Sequence, residues 1–279
     1  GAVMVTTAML IAVLAIVNGN EAGWLAPATT LKLGGAAALL MIFVVYESSV
    51  RDPLIPMSVF RLRSVCTANL IAVLWAAGMF AWFFISALYL QLVLGRDPLE
   101  VGLAFLPANL IMAACSLGIS AKLVRRFGIR GPLVAGLLIA AGGLLLFARA
   151  PVDGSVWVDV VPAMLLLGVG AGIAFNPLLL AAMGDVPAGE SGLASGLVNT
   201  SFMMGGALGL AVLASLAAAR TSGAIALGAD AVQALNSGYH FAFAAGGGFA
   251  VLAAVIAAVL LKKQDNAAVT AAAAPGHGM

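Results

Sequence analysis

The sequence predicts an all-α membrane protein of eight transmembrane helices, and three observations lead there. Of its 279 residues, 63% are apolar and 9% charged, where a soluble domain carries roughly 25% charged residues. A mean hydropathy of +1.13 is more apolar surface than one globular core can hide from water. The apolar residues also fall into eight long runs, and a membrane-spanning helix needs about 20 residues. Finally, the runs are continuous and rich in Leu and Ala, whereas barrel strands need short alternating segments. Only helices or closed barrels satisfy the backbone in lipid, so the runs are helices. A soluble enzyme, a nucleic-acid binder and a disulfide-stapled secreted domain are excluded. Cys66 and Cys115 lie far apart and make no metal set; they read as small packing residues.

In chain order the expected spans are Ala2–Val17, Leu31–Tyr46, Val65–Leu94, Val101–Ala121, Pro132–Ala148, Val158–Met183, Leu193–Ala219 and Phe241–Leu261. Breakers and charges separate them: Asn18-Gly19-Asn20-Glu21, Arg51-Asp52-Pro53, Gly95-Arg96-Asp97-Pro98 and Pro151-Val152-Asp153-Gly154. Basic residues set the orientation. One side holds Arg51, Arg61, Arg63, Lys122, Arg125, Arg126, Arg130, Lys262 and Lys263; the other holds Lys32, Arg96, Arg149 and Arg220. By the positive-inside rule the richer side is cytoplasmic, and both ends then lie there. The stretch after Lys263 is Ala-rich with Pro275 and reads as a disordered cytoplasmic tail. A hydrophobic segment begins at once after Gly1, without the basic n-region of a signal peptide. The chain is therefore expected to be the later part of something longer.

Small residues crowd particular spans: Gly168, Gly170 and Gly172 in the sixth, Gly205, Gly206, Ala207 and Gly209 in the seventh, Gly246, Gly247 and Gly248 in the eighth. In lipid, close backbone approach through small residues drives helix association. Ionisable groups within the spans are scarce; Glu21 and Asp159 read as rim charges rather than midplane acids. Neutral polar residues carry more information. Asn69, Asn109, Asn176, Asn199, Thr200 and Ser201 would cost energy facing lipid and should turn toward neighbours or a cavity. On the third span Asn69, Val73, Ala76, Phe80, Phe83, Ala87 and Gln91 share one stripe at helical period. An aromatic middle with amide ends suits an amphipathic ligand, while plain packing of Phe80 and Phe83 against the fourth span fits equally. Met79, Met112 and Met203 are adaptable fillers of a core or a ligand wall. Asn176-Pro177 should kink the sixth span, since proline removes a backbone donor.

Three blocks resemble the major facilitator superfamily, and within it the drug:proton antiporter branch with fourteen spanning helices. They are Leu88-Tyr89-Leu90-Gln91-Leu92-Val93-Leu94-Gly95 with Pro98-Leu99-Glu100-Val101-Gly102-Leu103 and Leu106-Pro107; Pro187 with Gly192-Leu193-Ala194-Ser195-Gly196, Asn199-Thr200 and Gly205-Gly206-Ala207-Leu208-Gly209; and Asp52-Pro53-Leu54-Ile55-Pro56 with Phe60-Arg61. The resemblance implies residues 1–46 as a linker helix pair, 47–64 as a cytoplasmic loop and 65–262 as the C-terminal six-helix bundle. Residues 263–279 are the tail. The bundle would be two three-helix repeats of opposite topology, facing an N-terminal six-helix bundle that this stretch lacks. The loop containing Lys122, Arg125, Arg126, Gly128 and Arg130 resembles the family's conserved loop between the second and third helices of a half, but Arg125 stands where the family has an acidic residue. As chemistry, four cations in nine residues can hold anionic lipid headgroups, and this role competes with gating. Phe202-Met203 replaces the family's Arg-Gln pair, which makes that surface more apolar.

The implied function is secondary active export, through the plasma membrane, of small amphipathic or cationic drug-like compounds in exchange for protons. The coupling acid is expected in the other half, and no cofactor is expected. Residues expected at the substrate cavity are Asn69, Phe80, Phe83, Asn109, Met112, Asn176, Asn199 and Met203. Two other classes compete with this reading. Gly189-Glu190-Ser191-Gly192 matches the Gly-x-Ser-Gly of rhomboid-type serine proteases, with His240 as the base. The orientation sets Ser191 and His240 at opposite membrane faces, about 30 Å apart, beyond the reach a dyad needs. A natural half-size partner or scaffold protein, without transport of its own, is the remaining alternative.

Overall fold

The computed structural model describes residues 2–23, 26–50, 62–184, 186 and 191–261. All regular structure among them is helical: α1 (Ala2–Ala22), α2 (Pro27–Ser49), α3 (Arg63–Leu88), α4 (Pro98–Ala114), α5 (Ser120–Phe127), α6 (Arg130–Phe147), α7 (Val161–Met183), α8 (Ser191–Ala226) and α9 (Ala231–Leu260). Three π-helical turns interrupt the ladder without ending it. Tyr89–Val93 prolongs α3, Cys115–Ile119 joins α4 to α5, and Val156–Val160 leads into α7. The family blocks at Asp52–Pro56, Phe60-Arg61 and Pro187, and the expected tail, lie outside the described residues.

Among the described residues, seven helical spans are long and apolar enough to cross a membrane. The chain is thus a multi-pass membrane protein. The predicted first span lies within α1 (Ala2–Ala22), whose described apolar stretch is Val3–Gly19. Local chemistry sets the other boundaries. Asp97 caps α4 by accepting from Glu100 N at 2.8 Å, and Glu100 Oε2 accepts in return from Asp97 N at 3.3 Å, a reciprocal capping box. Gly128 stops α5 at φ +72°, a left-handed conformation that costs a glycine little. Asp230 caps α9 by accepting from Val232 N at 3.0 Å. That cap starts the helix ten residues before the predicted Phe241, so His240 lies inside it rather than at its end.

Short connections make successive spans antiparallel. The first helix of each three-helix set packs on the second helix of the other: α3 on α8, and α7 on α4. Helices α6 and α9 pack together, and each also packs against α7 or α3. The main buried core is drawn from α3 to α9 and the segments between them; α1 and α2 contribute none of it. Helix α1 packs on α2 and on α8, where Ser215 Oγ donates to Ile16 O at 3.2 Å. At the end away from Gly128, the α6–α7 connection is held from two sides. Tyr89 Oη donates to Pro151 O at 2.6 Å, and Asn236 Nδ2 donates to Ala150 O at 3.1 Å. His240 Nε2 lies 2.7 Å from that same Ala150 oxygen.

Glycine makes the crossings close. A Cβ on Gly170 would sit 2.5 Å from Ala140 N and 2.6 Å from Gly136 O; one on Gly205 would sit 2.5 Å from Val73 Cα. Gly209 abuts Ala77, and Gly168 abuts the Ala108 carbonyl. Gly142 and Gly248, by contrast, have nothing within 4 Å of that position. Gly170→Val is therefore expected to destabilise by at least the 1–3 kcal/mol, roughly, of an overpacked core. Gly142→Ala should be neutral or slightly stabilising, through its helix propensity. Thermal unfolding in detergent checks this: similar melting temperatures for the two variants would contradict the packing assignment.

Candidate substrate-cavity wall

Two helix pairs carry the polar and aromatic residues, and each pair is joined by hydrogen bonds across the interface. Between α3 and α8, Ser201 Oγ donates to Asn69 Oδ1 at 2.5 Å, while Asn69 Nδ2 donates to Val65 O at 2.8 Å. Asn69 is buried and its amide has partners on both sides. Its two hydrogen bonds are divided between its own helix and the α3–α8 joint.

The α4–α7 pair is more constrained. Pro177 lies inside α7 and has no backbone donor, so the ladder cannot serve the carbonyl four residues earlier, at Ile173. Ser120 Oγ, at the start of α5, donates to that Ile173 oxygen at 3.0 Å. In the opposite direction, Asn176 Nδ2 donates to Ser116 O at 2.8 Å, inside the π turn. Each helix thus has an irregular stretch of backbone, and each receives a side-chain donor from the other. Gly172 lets the two backbones meet, since a Cβ there would lie 2.5 Å from Met112 O. Pro177, expected to kink the sixth span, lies within the continuous helix Val161–Met183.

Aromatic rings link the two pairs. Trp75 of α3 contacts Phe202 of α8 at 5.3 Å and Phe175 of α7 at 6.1 Å, and those two phenylalanines meet at 5.9 Å. Phe80 joins through Phe202 at 6.1 Å and covers Gly206. A second group, Trp82, Phe83 and Phe105, runs toward α4, with Phe83 stacked on Phe105 at 5.7 Å and 13°. These tilted and offset arrangements are the ones ring quadrupoles favour. Phe80, Phe83, Phe84 and Leu210 border an apolar depression of about 360 Å³.

The residues named from sequence therefore fall into two sets. Asn69 and Phe80 belong to the α3–α8 joint, with Asn199 and Met203 exposed on α8. Met112 and Asn176 belong to the α4–α7 joint, and Asn109, half-buried, lies on α4. The α3 stripe divides. Val73 and Phe80 meet α8 and Phe83 turns to α4, while Ala76 is fully buried. Trp75, Phe175, Phe202, Ser116 and Ser120 join these residues only in the folded chain. For Ser120 the signal was Pro177, which requires a donor near Ile173, but sequence does not say which residue supplies it.

Ser191 opens α8, whereas His240 is the tenth residue of α9. Measured back from their shared turn, at 1.5 Å per residue, the two lie roughly 40 Å apart along the hairpin. That separation is far beyond the contact a nucleophile and its base require.

This arrangement of antiparallel spans, with each three-helix set crossing the other, accompanies a match of the Major Facilitator Superfamily profile to residues 1–210. The chain belongs to the Major Facilitator Superfamily. It is 33% identical over 225 residues to the cephamycin export protein CmcT of Amycolatopsis lactamdurans, covering 80% of this chain and 46% of that protein. It is 33% identical over 219 residues to the puromycin resistance protein pur8 of Streptomyces alboniger, covering 78% and 44%. With the tetracenomycin C resistance and export protein of Streptomyces glaucescens it shares 30% identity over 225 residues, covering 79% and 40%. The chain thus spans less than half the length of these curated relatives.

Phe202 is the ring shared by Trp75, Phe80 and Phe175. Phe202→Ala is expected to cost about 3–5 kcal/mol, and Phe202→Leu appreciably less. Equilibrium unfolding in mixed micelles measures both; equal and small losses would show that the cluster does not hold α3, α7 and α8 together.

Proposed function

We propose that this chain is the C-terminal portion of a fourteen-helix drug:proton antiporter, exporting small amphipathic or cationic compounds in exchange for protons. In this reading α1 and α2 are the linker pair, α3–α9 form the C-terminal bundle, and both ends of the stretch face the cytoplasm of a plasma membrane. An N-terminal six-helix bundle completes the cavity and supplies the proton-binding acid. One observation carries the reading: a wall of aromatic rings with buried and half-buried amides spans α3, α7 and α8 in a chain whose relatives are named for drug export and resistance. Apolar rings with a few polar groups suit ligands that are large, apolar and only partly polar. The chain's resemblance to export proteins gives the scaffold alternative no comparable support.

The test uses the full-length protein in cells lacking their own pumps. Asn109→Leu and Phe83→Ala are each expected to change which compounds are exported while leaving expression intact. Unchanged profiles in both would sink the cavity assignment. A protonophore should stop export, and export that survives it would refute proton exchange.

A further inference from the structure

The span Pro98–Phe127 contains 30 residues and is about 45 Å long at 1.5 Å per residue. A hydrocarbon core is about 30 Å thick, so its final turns stand at headgroup depth. Those turns are the π turn Cys115–Ile119 and α5, whose exposed positions change character along one face. Leu117 is 86% exposed, and Gly118 and Ala121 are exposed beside it. At the next turn the same face carries Lys122 and Arg125, in steps of three and four that keep it continuous. A Cβ on Gly118 would meet nothing within 4 Å, so the apolar part is a shallow bed rather than a ridge. Arg126 adds a third exposed cation, its guanidinium 5.3 Å over the exposed ring of Phe127. Arg130 follows just beyond Gly128. Among the described residues none of these four cations forms an ion pair; the one salt bridge is Arg96–Glu100, at the opposite end of the span.

We propose that the Leu117–Arg130 segment is a binding site for an anionic phospholipid. The phosphodiester sits between Lys122 and Arg125, and one acyl chain lies on the bed of Leu117, Gly118 and Ala121. Guanidinium groups present paired donors to phosphate oxygens, and Phe127 supplies an aromatic ring at interfacial depth. A free phosphate would use the cations but leave the apolar bed empty, and this favours a lipid as the occupant. The site rests on membrane insertion and, within the proposed function, on the Leu117–Ala121 face staying open to lipid beside the N-terminal bundle; drug export itself is not required.

Native mass spectrometry tests it on the full-length protein, delipidated in mild detergent and offered phosphatidylglycerol or phosphatidylcholine. Phosphatidylglycerol should be retained several-fold more than phosphatidylcholine. Changing Lys122, Arg125, Arg126 and Arg130 together to Gln should reduce that retention at least about tenfold, given the attraction each basic residue has for an anionic surface. Changing Arg149 and Arg220, which lie toward the other membrane face, should not. Equal retention of the two lipids, or equal loss in both variants, would overturn the site. Displacement of phosphatidylglycerol by inorganic phosphate alone would assign the cations to a free anion instead. Should the fourfold variant fail to fold, the wild type decides the matter: its preference should fade as salt rises from about 0.05 M to about 0.5 M. A preference unaffected by salt would contradict an electrostatic headgroup site.

Discussion

A carbonyl stranded in hydrocarbon has no water to turn to, and leaving it without a donor costs several kcal/mol. Pro177 creates that situation at Ile173, in a helix that crosses the membrane. The fold resolves it with the Ser120 hydroxyl from the neighbouring span and returns the service through Asn176, which reaches the π turn at Ser116. Because both donors cross the same interface, α4–α5 and α7 are fixed in register as well as in proximity. A slide by one turn would strand backbone on both helices. Gly168 and Gly172 bring the two backbones close enough for these short side chains to span the gap.

The same logic, with different chemistry, holds the other half of the bundle. At the α3–α8 crossing the small residues are Gly205 and Gly209, and the polar link is Asn69–Ser201. Trp75, Phe175 and Phe202 then tie this joint to α7. Interhelical hydrogen bonds in membranes are individually modest, and close packing supplies much of the association. The polar links therefore specify which surfaces meet, while glycines and rings provide the contact.

Much of this architecture is legible in sequence because the membrane imposes length and polarity so strictly. The seven longer spans follow from apolar runs and breakers, and the crowded glycines of the sixth and seventh spans are indeed contact residues. What sequence does not reveal is pairing. The stripe on α3 has helical period, yet its members meet two different helices, and period alone cannot distinguish a cavity from two packing seams. α9 starts ten residues before the apolar run at Phe241, because Ala231–His240 mixes polar and apolar residues and the signal is the capping Asp230. Ser120 lies next to a basic segment and reads as the edge of a span. Its role depends on a proline 57 positions later, a relation that only the folded chain displays.

The central claim is that Ser120 is needed because Pro177 removed a donor, and a double-mutant cycle tests it most directly. Unfolding free energies would be measured for the parent, Ser120→Ala, Pro177→Ala and the double variant. Ser120→Ala alone should cost about 1 kcal/mol, within the range found for hydrogen bonds between membrane helices. With Ala at 177 the backbone N–H returns to serve Ile173, so the same Ser120→Ala change should then cost close to nothing. If Ser120→Ala costs the same in both backgrounds, the two sites are independent, and the account of how α4–α5 and α7 are held together is wrong.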